Sequence, residues 1–447
     1  MPAMKIAQRA VALVLCASLA TACSGERDGG GGGAAAKASP TPALGTGTTP
    51  AAPAHQTDTS PTSGEKSTRV VRSPRWKQVR SVPLRDASWL VDVVATGPDA
   101  AWAVGYEDGA EDNEGAPVMQ RWNGRTWSRV PLPPLSGPGG FDATGPDDVW
   151  LAGASEVSHW DGRRWAVRRP FGISEDERFS DVSVHNGQVL LIGSDESGSF
   201  VMSGEDGEFE FQFPGRAGAF NAIAFRAGHA WIVGAKSRES CAGLTPMVLH
   251  SRQKRSSWKE MRLPDIPGGS LRAVAQVSPT DVWAVGEIIK GGGNAHEGDP
   301  SSCPDAYESA EDQPTTPLVL HWDGRLWRQM TVPLTEGSLT GVTAFGPDDV
   351  WVAGHESVLL HFDGRKWTAE SASDRGTVKA VAAIPGTKDL WAVGAIDEWT
   401  DQGQDFVLRR DGRGPARLSV ILSTTLRSLS MASRYSAQSG CSPEMPR

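Results

Sequence analysis

From about residue 89 to residue 412 the apolar positions fall in short runs, each closed by a turn signal, and no stretch sustains the roughly 3.6-residue period of a helix. Leu339 to Trp367 shows the pattern in full. Leu339 to Phe345 reads as a first strand. Gly346-Pro347-Asp348-Asp349 reads as a β-turn, because proline presets φ at the second turn position and aspartate bonds the backbone beyond it. Val350 to Gly354 and Val358 to Phe362 read as second and third strands. Asp363-Gly364 is the tight turn that an Asx-Gly pair favours through positive φ, and a fourth strand begins at Arg365.

The rest of the chain largely repeats this unit. A Trp followed three residues on by Gly recurs at Trp102/Gly105, Trp150/Gly153, Trp231/Gly234, Trp283/Gly286, Trp351/Gly354 and Trp391/Gly394, with Leu190/Gly193 as a seventh copy. Four short antiparallel strands per unit, at periods of 40 to 68 residues, predict an all-β fold, a seven-bladed β-propeller. The blades fall at about 89–133, 140–170, 179–214, 219–264, 271–334 and 339–370, the seventh combining 377–412 with 75–83. That last assignment rests on two incomplete halves. Trp76-Lys77-Gln78-Val79 matches the fourth-strand sequences Trp258-Lys259-Glu260-Met261 and Trp327-Arg328-Gln329-Met330, and the unit ending at Gly412 lacks such a strand. Pairing them closes the ring and removes an open sheet edge. Blade 3 is the most degenerate, with Phe209 or Phe211 in place of the fourth-strand Trp.

The ends of the chain read differently. Residues 1–22 carry Lys5 and Arg9, an apolar run from Ala10 to Leu19 and small residues before Cys23, which is the layout of a secretory signal. The cysteine directly after the small residues makes the leader resemble a bacterial lipoprotein signal peptide, which implies lipidation of Cys23 and an anchor on the extracellular face of the cell membrane. Residues 23–68 are Gly, Ala, Pro and Thr with few large apolar side chains, a composition too poor in burial to fold. As a flexible linker it would reach about 35 to 40 Å. The domain expected is 69–413, and 414–447 forms a basic, Ser-rich tail.

Composition narrows the function. With 44 Lys plus Arg against 53 Asp plus Glu the net charge is -9, which repels phosphate backbones and argues against a nucleic-acid partner. The 17 Trp fall almost entirely on repeat positions, so they are expected between blades. The abundance of Ala, Gly, Arg and Pro points to an actinobacterial source.

The repeats, about 340 residues, resemble the bacterial exported propellers of the kelch and galactose-oxidase-like group. Here the paired glycines of kelch repeats reduce to the single Gly of Trp-x-x-Gly. Asp161-Gly162-x-x-Trp165 and Asp323-Gly324-x-x-Trp327 approximate the Asp-box of sialidase-type blades, and Trp160-Asp161 and Trp322-Asp323 are similar to the Trp-Asp pairs of WD40 blades. The resemblance implies the architecture and no particular activity.

No zinc, phosphate-loop or nucleophile-elbow motif is present, and no cofactor is expected. His159, His250, His321 and His361 share one repeat slot with Arg121 and Arg409, which spreads them one per blade and makes them structural. Functional residues should instead lie where the repeat varies, in the loops between second and third strands. Blade 1 has Tyr106, Asp108, Glu111 and Asp112, blade 5 the insertion from Glu287 to Pro317, blade 6 His355, and blade 7 Asp397, Glu398 and Trp399. The expected ligand-binding set is Tyr106, Asp108, Glu287, His355, Asp397, Glu398 and Trp399. Cys241 and Cys303 lie in equivalent loops of neighbouring blades, and export permits a disulfide between them. The function expected is non-catalytic recognition of an envelope protein or cell-wall glycan by a membrane-anchored monomer. The alternative is a polysaccharide hydrolase or lyase using carboxylates on the same face.

Overall fold

A computed structural model describes residues 70–109, 115–133, 137–174, 177–195, 198–205, 207–213, 218–237, 244–252, 257–289, 314–396 and 403–412. They form seven sheets, antiparallel except for one added strand, and no long helix. The fold is an all-β, seven-bladed propeller. Five sheets run in simple chain order, a sixth adds the short strand Val71–Arg72 at its outer edge, and the seventh joins the N-terminal strand Trp76–Val79 to Gln404–Arg410, Leu390–Ile396 and Thr377–Ala383. Its register sets Trp76 opposite Arg410 and Val79 opposite Val407. The ring is therefore closed by an N-terminal strand pairing with the last of the described strands.

The innermost strands are Trp89–Gly97, Gly140–Gly145, Arg178–His185, Ala219–Arg226, Gly269–Ser278, Leu339–Gly346 and Thr377–Ala383. In six of them the register slips one place beside the repeat glycine, as between Leu90 and Asp92, where Leu90 faces Gly105. Such a bulge drives the inner strand over the glycine, which is why no other residue fits.

Between blades the tryptophans form a cyclic ladder. The fourth-strand aromatic of each blade packs on the second-strand residue of the blade before it. Trp127 meets Trp391 at 5.2 Å, Trp327 meets Trp231 at 5.7 Å, and Trp367 meets Trp283 at 5.7 Å. In blade 3 the substitute is Phe209, buried against Trp150 at 6.1 Å, while Phe211 is exposed. The histidine slot is structural, as expected from the repeat. His159, His250, His321 and His361 each stack on their own blade's Trp at 4.0 to 4.2 Å. Arg121 and Arg409 lie over Trp102 and Trp391 in the same way. In three blades an Asp at the start of the second strand holds the imidazole, as Asp349 Oδ1 does His361 Nε2 at 3.0 Å.

One addition has no signature in the repeat. Val71–Arg72 lies parallel to the outer strand Trp367–Ser371 and gives blade 6 a fifth strand.

Candidate functional site: the long-loop face and the central channel

The two faces of the ring differ. First-to-second and third-to-fourth strand connections leave from one face, and several are tight turns, such as Asp323-Gly324 with Gly324 at φ +87. Second-to-third connections leave from the other face, and the longest bridge Glu107 to Ala116, Ser237 to Leu244, Ile289 to Thr315 and Ile396 to Gln404.

In blade 1 this face is built around Glu107, which is buried. Arg129 grips it with both guanidinium nitrogens, Nη1 to Oε1 at 2.8 Å and Nη2 to Oε2 at 2.6 Å. Arg85 adds its backbone N–H at 3.1 Å and Nη2 at 3.0 Å. The Arg129 hydrogen bonds hold the Glu107 carboxyl down to about 2. Beside it the rings of Tyr106 and Trp89 stack at 5.5 Å. Trp89, one of two tryptophans outside the repeat slots, is buried, whereas Asp108 is exposed and ion-paired with Arg85.

In blade 5 Glu287 is also buried, and Arg272 donates Nε to its Oε1 at 2.8 Å. In blade 6 the backbone of His355–Ser357 makes a single tight turn with Glu356 at φ +56. Ser357 Oγ then donates to the carbonyl of Gly376 at 2.7 Å, tying the turn to blade 7. The structure thus sets Tyr106 and Asp108 together in blade 1, and Glu287 apart from them in blade 5. Asp397, Glu398, Trp399, Cys241, Cys303 and Cys23 lie outside the described residues, as do 1–69 and the tail.

Behind this face runs a central channel of about 1190 Å³. Its inner wall has a feature that the loop-centred sequence reading passed over. The residue paired with the position two beyond the repeat Trp is Gly140, Ala222, Ala273, Gly341 or Ala380 in five blades, but Asp92 and Asp181 in blades 1 and 3. One slot deeper, opposite Trp150, lies Asp142. Burial pushes Asp92 up to about 7, with the neighbouring Asp142 adding to the effect. Burial likewise raises Asp142, and raises Asp181 well above the ordinary range, with Asp92 and Asp142 contributing. The carboxyls also stitch the blades. Asp142 Oδ2 accepts from Val184 N at 2.9 Å and Ser183 Oγ at 3.1 Å, and Asp181 Oδ2 accepts from Ile223 N at 2.9 Å. Thr343 Oγ1 and Ser183 Oγ do the same work in Asp142's slot of other blades, accepting from Ala383 N and Phe225 N. An alignment of the repeats would have found Asp92 and Asp181, since a carboxylate where the other blades hold Gly or Ala stands out.

Among the described residues no three His, Cys, Asp or Glu side chains converge to hold a metal. The arrangement has rigid, arginine-clamped acids at the rim from which the long connections leave, and backbone-bonded acids inside.

No protein-family model and no curated protein sequence matches the chain. Solved propellers do. The structure described as YCF48 bound to D1 peptide superposes with a TM-score of 0.50 at 12% identity, over 77% of this chain and 99% of that one. The structure of U3-55K gives 0.50 at 11% identity, over 76% and 99%. YCF48 from Cyanidioschyzon merolae reaches 19% identity with a TM-score of 0.41, over 64% and 98%. At these identities the likeness is one of fold.

Proposed function

We propose that this chain is a non-catalytic binding propeller that recognises a protein through its long-loop face, with a cell-wall glycan as the second class of ligand. The observation that carries the reading is the asymmetry of the faces: the long strand connections leave from one side, above a rim whose acids are locked by arginines. A clamped carboxylate such as Glu107 makes a rigid border for a partner, and its depressed pKa unfits it for proton donation. The YCF48 structure, a propeller of the same fold, holds a peptide, which supports a protein ligand. In this reading the anchor is a lipid on Cys23, and a Cys241–Cys303 bond shapes the loops of blades 4 and 5.

A hydrolase or lyase is the second reading, and the channel acids favour it. Asp92, raised to about 7, is a carboxylic acid of the kind that protonates a glycosidic oxygen. We read it as structural: its carboxyl accepts from Val93 N of its own strand at 2.7 Å, beside Asp142 and Asp181, which stitch the blades.

The test is capture from envelope extracts with a soluble fragment of residues 69–447, run beside a polysaccharide-degradation screen. A single envelope protein retained by the parent and lost with Tyr106→Ala and Asp108→Lys supports the binder. Degradation of a glycan that disappears with Asp92→Asn replaces it with the enzyme.

A further inference from the structure

Every propeller exposes the outer edge of its fourth strands, and unpaired edges recruit other strands unless they are blunted, often by Lys or Arg. Here five of the outer strands carry one: Lys77, Arg129, Arg168, Lys259 and Arg328. Two do not. Trp367–Ser371 of blade 6 has Glu370 instead, and it is the edge covered by the added strand Val71–Arg72. The cover is basic, since Arg72 pairs with Asp374 just beyond that edge. The other exception is Glu208–Phe213 of blade 3, with the sequence Glu-Phe-Glu-Phe-Gln-Phe. It is the longest of the seven outer strands, and no strand covers it among the described residues.

The surroundings of this edge are also unlike the rest. Glu208 and Glu210 are exposed, and Phe211 is 41% exposed. Gly172 packs beside the Phe211 ring, so a Cβ there would stand 3.1 Å from it, and the adjoining Phe171 is 93% exposed. Both exposed phenylalanines of the described residues thus lie at the edge of blade 3. Apolar surface of this kind beside an open edge marks an interaction site.

We infer that the Glu208–Phe213 edge is a second docking site, distinct from the long-loop face, which takes an extended segment of another polypeptide that alternates basic and apolar residues. Charge selects the occupant. Two copies of this edge paired antiparallel about Phe209 would set Glu208 against Glu210, and like charges opposed across strands are destabilising. A strand bearing Arg or Lys meets the glutamates favourably, while its apolar positions can reach Phe211 and Phe171. The Arg72-bearing strand on blade 6 is the same solution made within the chain.

The test uses the full chain and a fluorescent nonapeptide of alternating Arg and Val, followed by anisotropy. Saturable binding is expected, weakened at least tenfold by the double substitution Glu208→Lys and Glu210→Lys, and at least tenfold by methylating alternate peptide nitrogens to block pairing. Phe211→Ser should weaken it as well without altering the melting of the parent ring by more than a few degrees. The inference is overturned by no binding, by binding that ignores N-methylation, or by a dimer of the free chain that the same Glu-to-Lys pair dissolves.

Discussion

A Cβ added to Gly105, Gly234, Gly286 or Gly394 would stand 2.0, 1.8, 2.0 or 1.9 Å from the carbonyl oxygen of the bulged inner strand, well inside contact distance. Gly286→Ala therefore has to move the backbone of its own blade, and we expect a loss of about 2 to 4 kcal/mol in urea unfolding. Gly97 has nothing within 4 Å, so Gly97→Ala in the same assay should be neutral or mildly stabilising. Titration gives a second prediction at this scale. Asp92 is raised from 3.8 to about 7, so the folded state binds the proton more tightly than the unfolded chain. Its contribution is then fully present below about pH 4 and is lost as pH climbs through about 7. Asp92→Asn cannot ionise, and its melting temperature should gain on the parent's steadily between pH 4 and 8. Glu107 runs the other way: held down to about 2, it stabilises above about pH 4.5 and that contribution is lost as pH falls through about 2. Glu107→Gln should accordingly cost most near neutrality and least in strong acid.

At the scale of elements the closing strand decides whether the ring exists. Trp76 is 3% exposed, packs with Trp351, and gives its indole N–H to Glu370 at 2.7 Å. Trp76→Ala should cost about 3 to 5 kcal/mol by loss of buried ring and of the blade 6 contact. Removing residues 70–80 should leave blade 7 with an open edge, visible as oligomers in size-exclusion chromatography. The strands were legible in the sequence because they are announced locally: an Asp-Gly turn or a Trp-x-x-Gly pair needs only its own few residues. Even the closing strand could be matched to its siblings through Trp76. Val71–Arg72 could not, since two residues hold no pattern and only the bare edge of blade 6 gives them a place. The choice between Phe209 and Phe211 was likewise open until the strand register turned Phe209 toward Trp150. The site was harder to read than the fold. The Glu107 clamp joins residues 22 positions apart on either side, and the channel acids come near one another only once blades 1, 2 and 3 pack side by side.

For the whole molecule, closure fixes an order of events. Ser81 and Asp405, which hydrogen-bond beside the closing strand, are 324 residues apart in sequence. A chain delivered from its N-terminus presents Trp76 first and its partner strand last, so the first piece out must wait, unpaired, through the making of six blades. Contacts of such separation are slow to form because the intervening loop has to be closed before they return any energy. A chain truncated before Gln404 can never make them. It keeps a free N-terminal strand and an open seventh sheet, both of which proteases can attack. The seam between Trp76–Val79 and Gln404–Arg410 thus works as a completeness check on the ring, sealing only those molecules that were synthesised through the last blade.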